Sequence, residues 1–433
     1  MMATKELRKS VTFIEAIAIV IGMIIGSGIF LKPGIVLNNA GSPVMAILAW
    51  AAGGIVTLAS ALTIAEIASA IPKTGGLYTY LEELYGEKWG FLLGWVQTVI
   101  SYPASGAALA IAFATYSTYF IPMDAFQQKL LAVAVLVFVI IMNIIATKYG
   151  GIIQTVSTVG KLIPIAAIIL IGLMSGTAHD FRSVASATAG AGFGAAILGT
   201  LWAYDGWIGV TNMAGELKNP SRELPRSIIL GVVSVTLVYV LVNLAMLNVL
   251  PMEQIIASER PTSDVAIQLF GNGGATFITA GIIISVFGAM NGYLMTGARV
   301  PLAMGERRQL PFSEHIAKLS PRFGTPANAL VLESILAVLY IFSGTFNTLT
   351  DLLVFVLWIF FVMGVYGVFI LRKKVAVDSI PYKVPLYPFV PIVGIIGGIY
   401  ILFSTIISTP ANSLIGIGIT LAGLPVYYYL KKR

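Results

Sequence analysis

The sequence predicts an all-α integral membrane protein of twelve transmembrane helices, arranged as a five-plus-five inverted repeat with broken helices 1 and 6. Three observations carry this expectation. The 433 residues are 58% hydrophobic and only 10% charged, whereas a soluble globular chain carries about 25% charged residues. Apolar runs long enough to cross a bilayer recur along the chain, a crossing needing about 20 residues. Two of those runs are interrupted, by Gly26-Ser27-Gly28 and by Ala203-Tyr204-Asp205-Gly206. Glycines flanking a serine hold a helix closed poorly, and open backbone in lipid survives only where protein buries it or a cavity receives it. Paired breaks of this kind mark the substrate site of transporters built from inverted repeats.

The candidate spans fall near 13–37, 44–71, 89–120, 129–147, 152–174, 192–213, 227–250, 273–298, 327–344, 349–371, 389–408 and 413–430. Lys5, Arg8 and Lys9 precede the first run as in a signal peptide. The run is too long for one and lacks a small-residue cleavage site, so it reads as a retained span. With the N-terminus inside, 21 of the 26 basic residues fall in cytoplasmic segments and four outside, with Lys161 within a span. That asymmetry satisfies the positive-inside rule and puts both termini in the cytoplasm. Five spans separate the two breaks, so the halves are expected to be opposed in orientation. The whole is one transmembrane domain: repeat one over 13–174, repeat two over 192–371, and two added helices over 389–430. Thr79–Tyr85 and Pro311–Leu319 read as interfacial helices on the cytoplasmic side.

Composition also excludes functions. There is no cysteine, hence no disulfide, thiolate metal site or iron–sulfur cluster. His179 and His315 lie apart in loop-like stretches and form neither a metal cluster nor a catalytic pair. No cofactor is expected, and an enzyme lacks its parts. The net charge of +7 is spread over loops as topology requires, so membrane lipid is the expected environment and nucleic acid is not a partner.

The first break is the candidate anion site. Opening the helix after Ile25 frees N–H groups at Ser27, Gly28 and Ile29, where the dipole of the outer half-helix favours a carboxylate. Gly22 and Gly26 could equally form a packing stripe. The second break leaves carbonyls near Trp202, Ala203 and Tyr204 without intrahelical partners, and free carbonyls attract an ammonium. Together the two breaks describe a site for a zwitterion. Asp205 reads either as a functional mid-membrane carboxylate or as a cap of the second half-helix. Lys161 stands roughly 15 Å into the fifth span at 1.5 Å per residue; unwound carbonyls of span 1 would supply the partners a buried ammonium needs. Glu15 and Glu66, near cytoplasmic span ends, read as solvated ends or as a gate, and Asn143, Asn243 and Asn291 as interhelical hydrogen bonds.

The stretch Ile24-Ile25-Gly26-Ser27-Gly28-Ile29-Phe30 followed by Lys32-Pro33-Gly34 resembles the first helix of the amino acid–polyamine–organocation superfamily. The resemblance continues through Pro72-Lys73-Thr74-Gly75-Gly76-Leu77-Tyr78, Thr147-Lys148-Tyr149-Gly150, Gly160-Lys161, Ala203-Tyr204-Asp205-Gly206-Trp207 and Glu216-Leu217-Lys218-Asn219-Pro220. Within the superfamily the chain is similar to the L-type amino acid transporters, and most to bacterial serine/threonine and alanine-serine-cysteine exchangers. That resemblance implies a LeuT-type fold and sodium-independent, obligatory amino acid exchange. It implies that Gly26, Ser27 and Gly28 hold the substrate carboxylate. Carbonyls of Ile24, Trp202, Ala203 and Tyr204 would hold the amino group, and Lys161 would stand where sodium-coupled relatives place sodium. The departures are specific. Ile121-Pro122-Met123-Asp124 lacks the cysteine that animal members use to bond a glycoprotein, so no such partner is expected. Met246 stands where many members carry a tyrosine after Asn-Leu-Ala.

The expected function is therefore an antiporter of small neutral L-amino acids (alanine, serine, threonine, glycine) in the cell membrane, with Trp202 limiting side-chain volume. A proton-coupled symporter titrating Lys161 is the alternative.

Overall fold

The first apolar run is weakened as a helix by Gly26-Ser27-Gly28, and it opens there. The computed structural model describes residues 11–145, 147–175 and 192–432, with the backbone alone over 147–154. Helix α1 (Phe13–Ile24) starts on a capping box between Thr12 and Glu15 and stops at Ile25. The chain resumes as α2 (Gly28–Leu31) and passes through Lys32 in right-handed helical geometry into α3 (Pro33–Ala40). Helix α4 (Pro43–Ala70) crosses back, capped by the Ser42 hydroxyl, and leads through a positive-φ Gly75-Gly76 pair into the short α5 (Leu77–Tyr85). Helices α6 (Glu87–Val96) and α7 (Tyr102–Ser117) are joined by a π-helical turn over Gln97–Ser101. Then come α8 (Ala125–Ile145) and α9 (Thr147–Ser175).

The second break is equally distinct. Helix α10 (Phe193–Tyr204) ends at Asp205, Gly206 turns at φ +103°, and the chain continues as 3₁₀ turns over Gly209–Glu216. Beyond it lie α11 (Pro220–Val249), α12 (Met252–Ala257), α13 (Pro261–Gly297), α14 (Arg299–Glu306), α15 (Ser313–Ile316), α16 (Ala327–Ser343), α17 (Phe346–Lys374), α18 (Phe389–Ser408) and α19 (Pro410–Lys431).

Among the described residues ten helices are long and apolar enough to cross a membrane. Two of the twelve expected spans are not among these ten, in each case because the helix is short. One is the interrupted stretch 193–216. The other is α16, at 17 residues. The chain is a multi-pass membrane protein. Its broken helices lie inside it: α1 packs among α9, α11 and α13, and α10 packs against α3, α4, α17 and α18. The last two helices are peripheral. In the most apolar window of α1–α2 72% is buried, against 28% for α18 and for α19. Outward faces of apolar helices need no polar cover in lipid, so exposed Ile396, Phe403 and Ile407 of α18 are in keeping with a membrane setting.

Other expectations are corrected here. The stretch read as an interfacial helix near 79–85 is α5, yet it packs on α6 and α17 with Tyr78, Tyr80 and Leu81 fully covered. Of the stretch near 311–319, only Ser313–Ile316 is helical. Glu66 is not a solvated span end: it is fully buried, because Arg372 reaches it with two bonds of 2.8 Å and the Val384 N–H donates to it at 2.7 Å. Asn143 does donate across helices to Asn291, at 2.9 Å, but Asn243 bonds the Tyr239 carbonyl of its own helix. Lys5, Arg8, Lys9, Arg182 and His179, and the side chains of the Thr147-Lys148-Tyr149-Gly150 motif, lie outside the described residues.

Candidate functional site

At the first break the α-helical ladder is interrupted for a local reason. The Gly26 N–H turns back to the Ile24 carbonyl at 2.8 Å instead of reaching Gly22. Gly22 O therefore lacks its usual donor. Among the described residues no carbonyl receives the N–H groups of Ser27, Gly28 or Ile29. These three donors open the second half of the helix, where the peptide dipoles favour negative charge. Gly28 is needed for a reason other than backbone freedom. Its φ is not positive; a Cβ there would stand 2.5 Å from Ala203 Cα. A Cβ on Gly26 would meet Ala289 Cβ at 3.2 Å. Close packing, not a left-handed backbone, therefore requires glycine at these two positions. Positive φ is used at Gly206, in the other break.

The two breaks therefore press together, Gly28 on Ala203. Trp202 covers the contact: its indole N–H points to the Ser27 hydroxyl at 3.3 Å, and its ring lies between Tyr293 (6.4 Å, stacked) and Phe346 (5.9 Å, edge-on). Three of the carbonyls expected to be free are not. The Tyr239 hydroxyl of α11 lies 2.8 Å from both Ile24 O and Ala203 O, and Trp202 O accepts the Asp205 N–H at 3.2 Å. A hydroxyl carries one proton, so Tyr239 can serve only one of the two carbonyls at a time. Two carbonyls on different broken helices converging on one donor is an arrangement an ammonium, with three donors, could also satisfy. Tyr204 is turned away, its hydroxyl bonding Trp50 O at 2.9 Å. Asp205 ends α10 and accepts from the Tyr293 hydroxyl at 2.8 Å.

Lys161 reaches the first break from α9. It is fully buried, and its ammonium donates to Gly22 O at 2.8 Å, Ile25 O at 2.5 Å and Ser285 O at 3.3 Å. The first two are the carbonyls that the break strips of helical donors. Thr158, one turn earlier, bonds Ala18 O at 3.0 Å, and Ser285 Oγ adds to Ile25 O at 3.3 Å. One cation thus ties α1, α9 and α13. Ile24 O, held by Tyr239, and Ile25 O, held by Lys161, are neighbours in the chain. The two polar anchors are coupled through one peptide.

Beside the second break only about 10 Å³ of cavity remains, bordered by Met23, Tyr102, Asp205, Gly206 and Tyr293, room for about one water. On one side Lys32, buried at 1% exposure, binds Asn347 (3.2 Å), Thr350 (3.0 Å) and Asp351 (3.3 Å) of α17. At the other end of the broken second helix, Glu216 pairs with buried Arg299 at 3.0 and 3.3 Å. The burial of Lys32 and Arg299 follows from partners far along the chain.

Of the residues singled out from the sequence, Ile24, Gly26, Ser27, Gly28, Trp202 and Ala203 are brought into one place, with Lys161 directly behind Ile25. The Tyr204 hydroxyl points elsewhere, to Trp50 O, while its carbonyl, the group expected to bind, stays at the end of α10 beside the break. Tyr239 was missed. Its only sequence signal is a phenol midway through the apolar run of α11, and attention had gone to Met246, which is buried among apolar neighbours.

Residues 11–428 match the amino acid permease family. The serine/threonine exchanger SteT of Bacillus subtilis is 46% identical over 428 residues, covering 99% of this chain and 98% of that protein. The b(0,+)-type amino acid transporter 1 of Mus musculus is 32% identical over 443 residues, 99% of this chain and 89% of that protein. The cystine/glutamate transporter of Homo sapiens is 31% identical over 432 residues, 98% and 85%.

Proposed function

The chain belongs to the amino acid permease family of the amino acid–polyamine–organocation superfamily, and from that premise we propose that it exchanges small neutral L-amino acids across the cell membrane, without sodium, by alternating access. Alanine, serine, threonine and glycine are the proposed substrates. The similarity to a serine/threonine exchanger over nearly the whole of both chains supports the substrate class. In this reading α16 and the interrupted stretch 193–216 complete twelve crossings, the two halves are inverted repeats, and both termini are cytoplasmic.

The observation that carries the reading is the convergence of the two breaks. The substrate carboxylate takes the N–H groups of Ser27, Gly28 and Ile29. The ammonium takes the carbonyls of Ile24 and Ala203, displacing the Tyr239 hydroxyl from at least one of them. Trp202 must swing off Ser27 to admit a substrate, and it then bounds the side-chain space. Lys161 supplies a fixed cation at the carbonyls of the first break, so no sodium ion is needed there. No bond is made or broken in the cargo. Transport needs only that binding energy differ between inward- and outward-open states.

Counterflow into proteoliposomes tests the proposal. Uptake of labelled serine or alanine is expected to require unlabelled amino acid inside and to be unaffected by replacing sodium with choline. Equal uptake into empty vesicles would overturn exchange. Accumulation into substrate-free vesicles driven by a pH gradient would favour a proton-coupled symporter using Lys161.

A further inference from the structure

Between the end of α17 and the start of α18 an open groove of about 680 Å³ remains, bordered by Tyr366, Phe369, Tyr387, Ile392 and Ile395, with Arg372 and Lys373 at its rim. Its wall is aromatic and aliphatic. The Tyr366 and Phe369 rings are 5.7 Å apart, and Phe369 lies 5.4 Å from Tyr387. Tyr366 is 52% and Ile392 40% exposed, both on helices apolar enough to cross a membrane. In water such a wall is a liability; beside acyl chains it is not.

The cations at the rim are not equivalent. Arg372 is committed to Glu66 through two 2.8 Å bonds and stacks 3.8 Å above the Tyr387 ring. Lys374 is turned back onto the carbonyls of Glu83 and Leu84, and Lys383 pairs with Asp378. Exposed Lys373 alone of this cluster has no hydrogen bond or ion pair among the described residues. The fold gives it no task. It stands where a 29-residue apolar helix ends, at the depth where a bilayer changes from acyl chain to headgroup.

We propose that this groove binds one anionic phospholipid, its phosphate on Lys373 and an acyl chain along Phe369, Ile392 and Ile395. Charge selects the headgroup: a basic pocket at a membrane face attracts anionic lipid, while in a zwitterionic lipid the choline cancels the phosphate charge that Lys373 would attract. The apolar wall and the volume select a lipid over a free phosphate ion. On the positive-inside reading the lipid belongs to the cytoplasmic leaflet. Bound there, it would strap α17 to α18 beside the Glu66–Arg372 pair.

The test is thermal unfolding of the full chain in detergent, titrated separately with dioctanoyl phosphatidylglycerol, dioctanoyl phosphatidylcholine and inorganic phosphate. Phosphatidylglycerol is expected to raise the midpoint saturably, since a ligand bound only by the folded protein stabilises it; the other two are expected to leave it in place. Lys373→Gln should weaken phosphatidylglycerol binding about fivefold, and Ile392→Glu should abolish it. Lys318→Gln, a cation away from the groove, should leave it unchanged. Both test residues are exposed, so lipid-free midpoints should match wild type. Equal shifts with phosphatidylcholine or with inorganic phosphate, or unchanged phosphatidylglycerol binding in Lys373→Gln, would overturn the proposal.

Discussion

Replacing Lys161 with alanine is the most exposing test of the site. The ammonium serves three carbonyls, and they do not weigh equally. Ser285 O, at 3.3 Å, lies inside α13 and keeps its place in a regular helix. Ile25 O, at 2.5 Å, retains Ser285 Oγ at 3.3 Å as a second donor. Gly22 O, at 2.8 Å, has no other recorded donor because the Gly26 N–H bonds Ile24 instead. Leaving a buried acceptor unsatisfied costs about 1–3 kcal/mol. One full loss and one partial loss therefore come to roughly 2–4 kcal/mol, and about 1.4 kcal/mol is a factor of ten. Exchange should fall at least tenfold. Lys161→Arg should recover little, since a planar fork does not replace a compact ammonium aimed at three carbonyls. The assay is counterflow of labelled serine by wild type, Lys161→Ala and Lys161→Arg at matched membrane abundance, with and without sodium. An alanine variant that exchanges normally, or a wild type that needs sodium, would refute the reasoning and leave Lys161 a structural tie.

Three further outcomes follow from the geometry. Even Gly28→Ala should abolish the alanine-induced thermal shift, because its methyl would stand 2.6 Å from Ala203 Cβ, while Ser27→Ala should weaken binding only about fivefold for one lost hydrogen bond; a normal shift in Gly28→Ala would place the site elsewhere. Tyr239→Phe keeps the ring against Trp50 and Tyr204 but removes the hydroxyl shared by Ile24 and Ala203, and counterflow should drop between about fivefold and a hundredfold; an unchanged rate would exclude the hydroxyl from the cycle. Arg299→Met strands Glu216, and beside it Glu333, whose two carboxylate oxygens already lack hydrogen bonds, so stability measured by thermal or denaturant unfolding should fall by about 3–5 kcal/mol, with partial recovery in Arg299→Met/Glu216→Leu. A single variant as stable as wild type would contradict the buried pair's assignment.

The sequence by itself determined the class of the protein and where its helices break. Apolar composition and run length require a membrane protein, because such surface has no other solvent. Interruptions inside two long runs, one built on two glycines and one on an aspartate and a glycine, weaken the helix there, and both open at the residues where the sequence placed them. Lys161 was legible for the same local reason: a lysine two turns into an apolar run needs acceptors. What only the tertiary structure decided is which open groups stay open. The carbonyls of Ile24 and Ala203 were expected free and are held by Tyr239, from α11. Glu66 was expected at a solvated span end and is buried by Arg372; Lys32 and Arg299 are likewise buried by Asp351 and Glu216, each partner tens to hundreds of positions away. Gly28 is required by Ala203, 175 residues on. A chain's own periodicity reports where a backbone must open or a side chain must leave water. It carries no record of the partner that arrives from another helix, and that partner fixes whether the opened group is a binding site or an occupied one.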